Sequence, residues 1–178
     1  MYDQILVPID GGEEAMNGLN TACVLAEHHK SKLILLCVTA NDVPADLVDA
    51  AVNEGIVRPA SYSEFSDTLE HPSIASARAE ITRQAVLSRI ASAIGENIID
   101  RGARFAKEQH VPEVLTLVRS GEPEKCILDV AKEHKVDLIV IGSRGKEGLD
   151  ALFHPSVAEH VRKRCECPCL VLFSGDQE

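Results

Sequence analysis

Gln4-Ile5-Leu6-Val7-Pro8-Ile9-Asp10-Gly11-Gly12 near the start of the chain and Asp137-Leu138-Ile139-Val140-Ile141-Gly142-Ser143-Arg144-Gly145 near its end decide the fold between them. Each is a short aliphatic run that stops at small, flexible residues, the pattern of a strand buried on both faces and closed by a tight loop. Outward from the first run, Glu13 to about His29 carries apolar residues at Ala15, Met16, Leu19, Ala22, Cys23 and Ala26, which is helical spacing. Glutamates open that helix and Lys30 follows it, both favourable to the helix dipole, while His28 and His29 are expected to satisfy its last carbonyls. Lys32 to Thr39 then reads as a second strand, apolar on both faces.

Outward from the second run, Glu113 to Arg119 is a strand, and Pro123 suits the first turn of a helix with a stripe of Cys126, Ile127, Val130 and Ala131. A last helix is read from about Ser156 to Arg164, and a fifth strand from Cys169 to Phe173. Pro72 to Gln109 is a long helical pattern that Gly95 and Gly102 are expected to weaken and kink. Residues 40 to about 72 break the rhythm with Pro44, Pro59 and Pro72 and scattered acids. They read as a surface excursion, with a short helix near Asp46 to Asn53, on a single domain spanning 1–178.

Strands alternating with helices predict an α/β fold: a five-stranded parallel sheet with helices on both faces and right-handed crossovers. Ligands of such sheets bind beyond the carboxyl ends of the strands, where the strand order reverses. If the first and fourth strands are neighbours there, Asp10-Gly11-Gly12 and Gly142-Ser143-Arg144-Gly145 form one site. Glycine amides can approach an anion, and the last helix adds its positive N-terminus. Gly142-x-x-Gly145-x-x-Gly148 lacks the spacing of the nucleotide-hydrolase phosphate loop and does not follow the first strand, as a dinucleotide fingerprint would. Gly-x-Ser-x-Gly, the nucleophile elbow, is absent as well.

With 178 residues, 45% hydrophobic and 26% charged, the chain can bury a core without a staple. Two Tyr, four Phe and no Trp leave that core aliphatic and offer no stacking platform for single-stranded nucleic acid. Eighteen basic against twenty-eight acidic residues, a net charge of −10 and no Lys/Arg block argue against nucleic acid or an anionic membrane as partner. Leu33 to Val38, the longest apolar run, has six residues against the ~20 of a membrane span. No secretory signal is readable, and Cys23 and Cys37 suit buried free thiols, so the expected location is cytoplasmic with reduced thiols.

Ile5 to Gly11, Asp137 to Gly145, Ser156-Val157-Ala158-Glu159-His160-Val161 and Cys167-Pro168-Cys169-Leu170-Val171-Leu172, in that order, closely resemble the universal stress protein family over about residues 1–39 and 114–173. The resemblance implies a Rossmann-like fold of the adenine nucleotide alpha hydrolase-like kind, usually homodimeric and often binding ATP or AMP, in a stress-response regulatory protein. The family pattern Gly-x2-Gly-x9-Gly-Ser/Thr falls on Gly142, Gly145, Pro155 and Ser156, so a proline stands where the third glycine belongs. Proline offers no N–H, and the missing donor puts ~1–3 kcal/mol of phosphate recognition at stake. The amides of Gly145, Ser156 and Val157 and the Ser156 hydroxyl are retained.

Carried over by position, Asp10 bonds the ribose or adenine side of the nucleotide, and Val38 meets the adenine through its backbone. Pro8, Ile9 and Ile141 line the apolar wall around the base. Gly142, Arg144, Gly145, Ser156 and Val157 surround the phosphates, with or without Mg2+, and Lys146 adds a positive charge. Two alternatives stay open: a dimeric interaction module that binds no nucleotide because Pro155 alters the cleft, and a slow metal-assisted nucleotide hydrolase. No carboxylate pair or activated nucleophile marks an efficient enzyme, and His154 reads as a loop histidine.

Cys169 to Phe173 reads as a sheet edge, protected by pairing with its copy in a homodimer. Cys165, Cys167 and Cys169 are expected on one side of an extended strand. They are read as packing thiols rather than metal or redox ligands, although Arg162, Lys163 and Arg164 would favour thiolates if oxidants acted there.

Overall fold

A computed structural model of the chain describes residues 1–39, 72–143 and 157–173, with side chains of the second stretch from 87 onward. Of the excursion expected at about 40–72, residues 40–71 and the short helix lie outside the described residues, and Pro72 opens a helix. Two compact units are present, one formed by 1–39 with 95–178 and the other by 40–94. In the second, the described residues are helical from Pro72 onward. The first carries the whole sheet.

Its strands are β1 (Gln4–Pro8), β2 (Lys32–Thr39), β3 (Glu113–Ser120), β4 (Leu138–Ser143) and β5 (Cys169–Phe173). The described helices are α1 (Glu13–His29), α2 (Pro72–Glu108), α3 (Pro123–Glu133) and α4 (Val157–Arg164). The strands form one five-stranded sheet in the order β3-β2-β1-β4-β5, parallel at every pairing. As the α/β pattern requires, β1 and β4 are neighbours where the order reverses.

Side chains alternate between the two faces of a strand, so both faces can be read from β1 and β2. Ile5, Val7, Leu33, Leu35 and Cys37 pack with Leu19, Ala22 and Cys23 of α1 and with Ile99 and Ala106 of α2. Leu6, Ile34 and Leu36 pack with Ile127 and Val130 of α3 and Ala158 and Val161 of α4. The near-continuous apolar runs of β1, β2 and β4 reflect this double coverage.

Pro8 sets where the sheet opens. The Ile9 N–H donates to the Leu36 carbonyl at 2.8 Å, so by alternation position 8 faces β4. Pro8 has no N–H to give there. The β1–β4 ladder accordingly pairs Ile5 with Leu138 and Leu6 with Ile139, while β1 stays paired to β2 through Pro8 and Leu36. At the other end Asp137 pins the two strands: its Oδ2 accepts the N–H groups of Asp3 and Gln4, each at 2.9 Å.

Four expectations need correction. Helix α2 is unbroken at Gly95 and Gly102, because these glycines serve close packing instead of a kink. A Cβ at Gly95 would lie 2.8 Å from Thr39 Cγ2, and one at Gly102 2.7 Å from Ile9 Cδ1. Strand β4 continues past the apolar run, pairing Gly142 with Leu172 and Ser143 with Phe173, so Gly142 is strand and not loop. His28 and His29 do not cap α1; Lys30, at φ 60°, and Ser31 turn their N–H groups to the Ala26 carbonyl. His29 instead meets Tyr2 edge to face at 5.5 Å. Lastly, Cys165 and Cys167 precede β5 in a bend and only Cys169 lies in the strand, since Pro168 separates them from it.

Candidate functional site

Beyond Pro8 the separated ends of β1 and β4 leave a cleft of about 180 Å³. Pro8, Ile9, Asp10, Val38, Ile141, Gly142 and Val157, singled out in the sequence, all line it. Arg144, Gly145 and Ser156 lie outside the described residues, as do Lys146, His154 and Pro155. Glu14, Ala15, Leu36, Pro123 and Ile127 also line the cleft and were not anticipated. A signal for Pro123 did exist: helices that succeed parallel strands begin at the carboxyl edge of the sheet, so a first-turn proline marks a residue on that edge.

Each wall has a local cause. Asp10 Oδ1 accepts the Gly12 N–H at 2.8 Å, a side-chain turn that carries the chain from β1 into α1. Gly11 sits at φ 83°, a left-handed conformation that favours glycine, and Ile98 Cγ1 leaves little room for a Cβ there. Glu13 and Glu14 fill the first turn of α1, where the dipole favours carboxylates. Gly142 lets that turn come close, since a Cβ on it would run into the Glu14 carbonyl. On the far side the His160 Nδ1 lies 3.2 Å from Glu124 Oε2 and ties α4 to the first turn of α3.

The floor is apolar, with Leu36 fully buried, Ile127 and Ile141 nearly so, and Val38 half-buried. Ile9 contributes to the wall while its side chain packs with the α1 and α2 residues of the core. Asp10 and Glu14 make the described lip acidic, and no cation lines the cleft among the described residues. Opposing that charge, α3 and α4 both present their N-terminal residues, Pro123 and Val157, to the cleft. A slot with an apolar floor, a carboxylate lip and helix N-termini suits a flat ring carrying hydroxyl donors and an anionic tail.

Among the described residues no group of three His, Cys, Asp or Glu is placed to hold a metal ion. Burial pushes the Cys167 thiol up and the Cys169 thiol up to about 12, and it outweighs the Arg162 charge beside Cys169.

A doubly wound α/β domain with its cleft at the strand-order reversal is the class defined by this fold. The model of the Universal stress protein family matches residues 1–172, and the chain belongs to that family. The universal stress protein YxiE of Bacillus subtilis is 30% identical over 172 residues, covering 97% of this chain and 99% of the relative. Among solved structures, a universal stress protein in complex with cAMP is similar with a TM-score of 0.62 and 17% identity, covering 98% of each chain. A family member from Arabidopsis thaliana with AMP bound has a TM-score of 0.58 and 14% identity, covering 98% of this chain and 93% of its own.

Proposed function

We propose that this protein binds an adenine nucleotide, ATP or AMP, in the cleft between β1 and β4 and acts as a regulatory binding protein. The observation that carries the reading is the parting of the sheet beyond Pro8 over an apolar floor, flanked by the N-termini of α3 and α4. Two structural neighbours bound to cAMP and AMP support an adenosine-sized ligand for this fold. In this reading the base lies between Pro8, Val38 and Ile141, with Ile9 behind it, and Asp10 accepts a ribose hydroxyl. In this reading the phosphates lie by Gly142 and Val157, which line the cleft, and the donors carried over by position are Arg144, Gly145 and Ser156. The cleft of about 180 Å³ is smaller than the ~300–1,000 Å³ of whole ligand pockets, which fits a base and not a whole nucleotide within the described walls.

Titration calorimetry with ATP and AMP, with and without Mg2+, tests the proposal. Asp10→Ala is expected to weaken binding roughly tenfold through loss of a charge-assisted bond. Pro155→Gly is expected to tighten ATP binding by restoring a phosphate donor. Absence of binding to either nucleotide would overturn the reading in favour of an interaction module, and steady phosphate release over hours would favour slow hydrolysis. We also propose a homodimer paired through β5 and a reducing, cytoplasmic setting. The first is supported by the exposure of Leu170 and Phe173 on an edge strand, the second by six free cysteines.

A further inference from the structure

Asp10 and Glu14 form the lip of the cleft, whereas Glu124, next in the chain to the lining residue Pro123, does not line it. Its carboxylate is turned aside onto the neighbouring helix: Glu124 Oε2 lies 3.2 Å from Nδ1 of His160, and both side chains are half-buried. Ala158 and Val161 of α4 already pack with Ile127 and Val130 of α3, and a partly exposed ion pair adds little to such docking. The start of α3 is otherwise open. Glu122, in the cap position, makes no side-chain hydrogen bond to the first turn, and Pro123 has no N–H, so the first donors of the helix are the amides of Glu124 and Lys125. A first-turn carboxylate ordinarily offsets the positive end of its own helix. Released from His160, Glu124 would do so here, with its negative charge beside the helix start that flanks the cleft.

We propose that His160 is a positioning residue for nucleotide binding: by engaging Glu124 it holds that carboxylate away from the phosphate and leaves the positive end of α3 to the ligand. The inference rests on the nucleotide reading above. A neutral ring with its proton on Nδ1 donates to Glu124, and an imidazolium adds a compensating charge, so the contact serves in either state. His160 acts through Glu124 and touches no ligand. Its removal therefore costs affinity only for ligands that carry phosphate, and removing the Glu124 charge as well gives that affinity back.

Titration calorimetry of the full chain with adenosine and with AMP separates this charge effect from helix docking. The parent is expected to bind AMP more tightly than adenosine. His160→Ala should weaken AMP roughly tenfold, the order expected of one uncompensated charge near a phosphate, and leave adenosine within about twofold. His160→Asn, whose amide N–H stands where the ring Nδ1–H stood, should keep the parent affinity for both ligands. The variant carrying His160→Ala with Glu124→Gln should recover AMP affinity to within about threefold of the parent. Equal losses for adenosine and AMP in His160→Ala, an AMP affinity that this change leaves untouched, or no recovery on adding Glu124→Gln would overturn the proposal and leave the nucleotide reading standing. A parent that binds neither ligand would overturn both.

Discussion

Gly142 and Asp137 show how single residues hold β4 in place. At Gly142 the obstacle to a side chain is the backbone carbonyl of Glu14 in the first turn of α1, which cannot move without the helix. Gly142→Ala is therefore expected to cost about 1–3 kcal/mol, seen as a lower midpoint in urea with an unchanged slope. Gly102→Ala should cost clearly less. Its nearest obstacle is the terminal methyl of Ile9, and alanine recovers ~1 kcal/mol of helix propensity. Asp137 accepts two backbone N–H groups across the start of the sheet. Asp137→Ala should destabilise by about 1.5–3 kcal/mol in the same measurement, whereas mutation of Asp129, on the exposed side of α3, should have little effect.

Helix α4 has eight residues, too few to persist in isolation, so it depends on the core and on its own charges. Ala158 and Val161 are buried against α3, and Glu159 pairs with Arg162 at 2.8 Å and Lys163 at 3.2 Å. Hydrogen bonds from Arg162 and Lys163 hold the Glu159 carboxyl down at about 2, from an ordinary 4.5. A carboxylate depressed on folding contributes stability above its unfolded value and loses it as pH falls through the folded one. The contribution of Glu159 should thus be present at neutral pH and fade between about 4.5 and 2. Comparing Glu159→Gln with the parent by thermal melts across that range checks it: the two curves should converge at the acid end. The effect is small because the pair is exposed.

At the scale of the whole molecule, β5 and the buried thiols carry the expectations. Leu170 and Phe173 are exposed on an edge strand, and unpaired edges with apolar side chains associate. Sedimentation at micromolar concentration is expected to show a dimer for the parent and a monomer for the variant carrying Leu170→Lys and Phe173→Asp. Burial pushes Cys23 and Cys37 up to about 11 from 9, in the middle of the core. Groups raised on folding stabilise below their unfolded value, so stability from these thiols should fall as pH rises from about 9 to 11. A chain carrying Cys23→Ala and Cys37→Ala should lose less of its stability over that interval.

Much of this architecture was legible from local pattern. The bounds of α1, β2 and β5 come from apolar periodicity and the residues that interrupt it, and the Pro123 start of α3 comes from proline's lack of an N–H. These depend on neighbours in the chain, which the sequence displays directly. Gly95 and Gly102 misled because helix propensity is local, whereas the reason for glycine there is the approach of Thr39, Val118 and Ile9. Cys165 and Cys167 misled because Pro168 ends the alternation on which a strand reading rests. Of the cleft, the residues at strand ends could be found, but Glu14, Leu36 and Ile127 could not, since they reach it from elements defined by other contacts.

By itself, then, the order of apolar runs and breakers determined which segments are strands and helices and that the sheet is parallel. The tertiary structure alone decided the order β3-β2-β1-β4-β5 and the depth of the cleft. Pairings such as Ile5 with Leu138 join residues far apart along the chain, and such a contact leaves no periodic trace in either segment until the backbone closes between them.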